Sequence, residues 1–170
     1  MESKSDRDGA SGLGERASPV CYADQADAAY MGQLPAQELI AALDELLEAE
    51  RAGARVAAET APQLSDPAER ELMEAIRQDE VKWCGMLSAA IQSLGGRPGS
   101  SIGAFYGKAM AIEDLPARMA FLNRGQAWVV RKLEALVPRI REAEIQDSLL
   151  AMLTAHRQNI GRVEVRLASR

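Results

Sequence analysis

With 170 residues and a mass of 18.4 kDa, the chain has the size of one compact domain. Its 47% hydrophobic and 26% charged residues exclude global disorder and fibrous repeats, and an aromatic content of 4% beside abundant Ala, Leu, Glu and Arg excludes an all-β fold. A net charge of −5 argues against nucleic acid as a partner, and no apolar run approaches the ~20 residues of a membrane span.

Residues 1–18 are polar and rich in Gly and Ser, and are expected to form a disordered tail; residues 19–34, with Tyr22, Tyr30 and Met31, are expected to strap onto the body. Residues 35–170 are expected to form the body, whose first long helix begins at Pro35 and runs to Ala61. Its apolar stripe of Ile40, Leu43, Leu47, Ala54 and Ala57 passes through Glu50, which therefore faces inward. Asp66 followed by Pro67 and Glu69 marks the start of a second helix in the manner of a capping box. Its stripe is Leu72, Ile76, Glu80, Trp83, Leu87, Ile91 and Leu94, and Gly95, Gly96 and Pro98 supply the stop. The stretch 95–115, with a short helix around Phe105 to Ala111, is long enough to return from one end of the body to the other. A third helix follows near Pro116 along Met119, Leu122, Gln126, Val129, Val130, Leu133 and Val137, closing at Pro138. The fourth runs from about Glu142 to Leu167 along Ile145, Leu149, Met152, His156, Ile160 and Val163. Short links within each helix pair and a long one between pairs describe an all-α four-helix bundle with one crossover.

The second helix pair repeats the first at an offset of 76. Pro62 pairs with Pro138 and Arg55 with Arg131, but the informative matches are Glu50 with Gln126 and Glu80 with His156. Four apolar stripes are thus interrupted at one level. A buried carboxylate without a partner costs several kcal/mol, so such a layer must be satisfied internally, by a metal or by water. One reading is a closed network in which Gln126 donates to Glu50 and protonated His156 pairs with Glu80. The other is a site in which Glu50, Glu80 and His156, with Gln126 as a weak fourth ligand, hold a single divalent ion such as Fe, Mn or Zn.

The segments LLEAERAGAR around Glu50 and DEVKW around Glu80 resemble ligand-bearing helices of the ferritin-like superfamily, including its rubrerythrin and bacterioferritin types, and the resemblance spans about residues 35–168. It implies a ferritin-like bundle with one long crossover and, at these positions, a dinuclear iron site. FLNRGQAWVVRKLE also looks like an uncharacterised bacterial branch of that superfamily. Trp83 stands where the motif has His, Gln126 where it has Glu, His156 at its second Glu and Asn159 at its second His. Two carboxylates, or three with Asp79, do not offset two divalent ions, so the dinuclear site is read as degenerate.

Around this layer, Asp79, Trp83, Cys84 and Asn159 are the expected neighbours. A Cys84/His156 nucleophilic dyad is the only one the composition allows, although a core-edge Cys usually behaves as a small hydrophobe. Cys21 and Cys84 form no CxxC pair and are read as reduced thiols; with no apolar signal core at the N-terminus, the expected location is cytoplasmic. Residues 35–94 carry twelve acids against five basic residues, and 116–170 ten basic against five acidic, a polarity that helps the two halves dock, or else supports head-to-tail self-association or an anionic partner on the basic half. Trp128, opposite the inward face of its helix, asks for a cover from the strap, the crossover, a protein partner or a second subunit of a homodimer. The expected role is a non-catalytic structural or interaction protein with a self-satisfied layer. The alternative is a mononuclear metal protein or weak oxidase using Glu50, Glu80 and His156.

Overall fold

A computed structural model describes residues 32–169. The expected tail over 1–18, and the strap except for residues 32–34, lie outside the described residues. Among those described, five α-helices and two short 3-10 turns carry the structure, and there is no strand. The helices are α1 (Ala36–Thr60), α2 (Pro67–Ser93), α3 (Phe105–Met110), α4 (Leu115–Leu136) and α5 (Ala143–Ala168).

Local chemistry sets these ends. Asp66 accepts hydrogen bonds from Ala68 N (2.8 Å) and Glu69 N (3.2 Å), satisfying two amides that the first turn of α2 cannot pair internally. Asp114 caps α4 in the same way through Ala117 N (2.8 Å), two residues before Pro116. The turns Ala61–Gln63 and Val137–Arg139 are related by the offset of 76, as are the first residues of α2 and α5. The buried positions repeat likewise: Leu46 with Leu122, Ala57 with Leu133, Ile76 with Met152 and Leu87 with Val163.

The four long helices each border two others: α1 borders α2 and α4, and α5 borders α2 and α4. Neighbours run in opposite directions. Lys132 near the end of α4 reaches Glu45 in the first half of α1, and Arg118 at the start of α4 reaches Gln63 in the turn after α1, while Asn159 reaches Asp79 and Arg166 reaches the α2 cap Asp66 between α5 and α2. From the end of α2 the chain travels along α1: Gly99 N donates to Asp44 (2.7 Å), and further on Tyr106 of α3 donates to Glu59 (2.9 Å). This extra neighbour widens the buried face of α1 beyond the expected stripe. Leu39, Leu46, Gly53 and Val56 are buried, whereas Ile40 and Ala54 are only half-buried.

The core is divided in two. One cluster contains Leu39, Leu43, Leu47, Leu87, Leu133 and Leu149; the other contains Val56, Met73, Ile76, Met119 and Val163. A fully buried aliphatic side chain contributes roughly 2 kcal/mol relative to exposure, so both clusters fix the helix spacing and keep whatever lies between them away from solvent. Glu50, Glu80, Gln126 and His156 lie on the segments between the two clusters.

Candidate functional site

All four polar residues are buried, none more than 4% exposed. Each sits where its helix turns its apolar face inward, so packing on either side holds the polar group in place. The closest interaction in the layer is a 3.1 Å hydrogen bond between His156 Nε2 on α5 and Glu50 Oε1 on α1, across the diagonal of the four helices. His156 Nδ1 lies 3.1 Å from the carbonyl of Met152, one turn earlier, and a carbonyl can only accept. Nδ1 therefore carries a proton, and the Nε2–Oε1 contact holds another, on either the imidazole or the carboxyl.

This pairing differs from the expected network, in which His156 met Glu80 and Gln126 donated to Glu50. The Met152 carbonyl orients the ring so that Nε2 points across to α1. Glu80 instead lies over the backbone of α1 at Gly53, where a Cβ would stand only 2.7 Å from Glu80 Cδ. A side chain at position 53 would take the space of the carboxylate, which explains a glycine in the middle of a long helix despite its unfavourable propensity. The repeat is broken here, because the residue matching Gly53 in the second half is the buried Val129.

Several buried atoms of the layer have no hydrogen-bond partner among the described residues: Glu50 Oε2, Glu80 Oε2, both ends of the Gln126 amide, and Trp83 Nε1. Burial pushes the Glu80 carboxyl well above the usual carboxylate range, and the charges of Glu50 and Asp79 push the same way. Glu50 is raised by burial, although the hydrogen bond and charge of His156 oppose the shift. Burial alone would lower His156; the hydrogen bond and charge of Glu50 outweigh it and hold the imidazolium form to higher pH.

The expected neighbours of the layer divide. Asn159 is buried and its amide donates to Asp79 Oδ2 at 2.9 Å, so Asp79 is tied to α5. Trp83 fills part of the core, with Lys82 Nζ 4.3 Å from its ring centre. Cys84 is half-buried and its thiol is pushed up to about 12, chiefly by burial, which leaves little thiolate for a dyad with His156. Trp128 is half-buried against the core, with Lys132 Nζ 5.0 Å from its ring, rather than standing exposed.

A cavity of about 470 Å³ opens between α1, α4 and the segment that joins the helix pairs. Glu50, Glu80, Gln126 and His156 line it together with Phe105, Phe121, Leu122, Trp128 and Val129. The Phe105 and Phe121 rings stack at 4.9 Å, and Phe105 lies against Gly125 of α4, where a Cβ would come within 2.6 Å of its ring. Neither Gly53 nor this aromatic wall was recognised in the sequence. The signal the sequence carries is that Gly53 and Gly125 interrupt long helices within three residues of the layer positions Glu50 and Gln126.

The residues present do not fit a dinuclear iron centre. Three of the implied ligand positions hold Trp83, Gln126 and Asn159, and Glu50 is engaged by His156. Among the described residues no group of three His, Cys, Asp or Glu side chains is placed to hold a metal ion. Among them also, no helix is long and apolar enough to cross a membrane. The arrangement offers a confined polar floor with unsatisfied hydrogen-bonding atoms below apolar walls, the usual composition of a small-molecule site.

No curated protein matches the chain. No solved structure matches it. The family described as a domain of unknown function, DUF6306, matches residues 37–165, and the chain belongs to that family.

Proposed function

We propose that this chain is a ferritin-like four-helix bundle with one long crossover, in which the polar layer serves as the floor of a small-molecule binding cavity rather than as a metal centre. The repeat at an offset of 76, the antiparallel neighbours and the passage of residues 94–114 along α1 support the bundle and its crossover. The binding role rests on one observation: unpartnered, buried polar atoms of Glu50, Glu80 and Gln126 belong to residues lining a single cavity of about 470 Å³. A closed structural network would leave those atoms paired, because each unsatisfied buried group costs about 1–3 kcal/mol.

A fragment screen followed by two-dimensional amide NMR tests this reading. At least one fragment class should shift the amides of Gly53, Phe105, Gly125 and Gln126 together. Shifts scattered over the surface contradict it. Shifts at these residues produced only by Fe, Mn or Zn ions would favour the mononuclear metal reading instead.

A further inference from the structure

We propose that the cavity binds a primary ammonium group carrying a short apolar tail, with the ammonium held by Glu50 Oε2, Glu80 Oε2 and Gln126 Oε1. This rests on the binding role proposed above and adds the ligand's chemistry. Each of the three oxygens belongs to a buried cavity-lining residue and lacks a partner among the described residues. They are acceptors, and a primary ammonium supplies three N–H donors. The charge balance points the same way. Glu50 shares a proton with His156, and the half-buried Asp79 accepts a hydrogen bond from Asn159, so Glu80 is the buried carboxyl of the layer with neither a cationic partner nor a hydrogen bond to its Oε2. A cation there removes the penalty of the buried acid, whereas a carboxylate ligand would add to it. The walls fit the remainder of such a molecule. Phe105, Phe121, Leu122, Val129 and the half-buried Trp128 line the same cavity with apolar surface.

Isothermal titration of the full chain with hexylamine, hexanol, hexanoate and MnCl2 tests the proposal at pH 7.5. Hexylamine should bind once per chain and at least about tenfold more tightly than hexanol or hexanoate, the difference a charge-assisted hydrogen bond makes. Glu80→Gln and Gln126→Leu should each weaken hexylamine, the former by about tenfold or more. Circular dichroism checks that both variants keep their helices, and either one alone is sufficient for the test. Hexylamine binding that survives both substitutions overturns the assignment. If hexanol or hexanoate binds as well as the amine and is lost in Gln126→Leu, the cavity is a binding site but the ammonium preference is wrong. If none of the three organic probes binds and no fragment shifts the cavity amides, both proposals fall. Manganese binding that disappears in Glu80→Gln, without amine binding, overturns both in favour of a metal site.

Discussion

Replacing Gly53 by Ala separates two effects that the structure sets against each other. In a helix interior Ala is about 1 kcal/mol more favourable than Gly, so the substitution should stabilise α1 if nothing else changed. The new Cβ, however, would stand 2.7 Å from both Glu80 Cδ and Oε1. Carbon atoms pack at roughly 3.5–4 Å, so the carboxylate must retreat by roughly 1 Å from its seat on α1. Overpacking of this kind costs about 1–3 kcal/mol. Gly53→Ala should therefore lose up to about 2 kcal/mol in the wild-type background and gain about 1 kcal/mol where Glu80→Ala has removed the carboxylate. The coupling between the two sites should be about 1–3 kcal/mol. Urea unfolding of the four proteins of the cycle at pH 7 measures it directly. If Gly53→Ala has the same effect in both backgrounds, within about 0.5 kcal/mol, Glu80 does not rest on α1 and the geometry of the layer is wrong.

Glu80→Gln should stabilise the protein at neutral pH and confer no advantage below pH 4.5. The raised folded pKa means that the wild type keeps its full stability below the unfolded value and loses it as pH rises through the folded one. Melting temperatures of both proteins at several pH values check this, and a difference independent of pH would count against it. His156→Ala should cost about 3–5 kcal/mol, because it leaves Glu50 buried without its partner; the loss should be much smaller in a Glu50→Gln background, as read from urea midpoints. The His156 contribution itself should be complete below pH 6.5 and decline as pH rises through its raised pKa. Asp66→Ala should lower the melting temperature at pH 7 with the opposite pH dependence. Backbone hydrogen bonds from Glu69 and Ala68, with Arg166 nearby, depress this carboxyl, so its stabilisation is present above pH 3.8 and fades as pH falls through the lowered folded value.

The helix pattern was legible because the residues that begin and end helices act locally. Asp66 and Pro67 start α2, and Pro62 and Pro138 fall in the turns that close α1 and α4. The Asp114 cap follows the same rule and was passed over in favour of Pro116. Burial of Glu50, Glu80, Gln126 and His156 was legible from the apolar stripes they interrupt. Their pairing was not, because it depends on side-chain direction. The Met152 carbonyl turns His156 toward Glu50, and the bare backbone at Gly53 receives Glu80. The cavity was equally hidden, since it arises from where the segment carrying Phe105 passes relative to α4. A helical glycine such as Gly125 reads in sequence as a cost in propensity, and its use appears only with the ring packed on it.

The side-chain amide of Gln126 provides the most direct test of the account. Both of its polar atoms lack partners among the described residues, and its residue lines the cavity. Its NH2 resonances, assigned by their loss in Gln126→Leu, should shift progressively and saturate as hexylamine is added, while other glutamine side chains stay in place. An unchanged Gln126 signal at saturating amine would contradict the claim that this layer is the floor of an ammonium site.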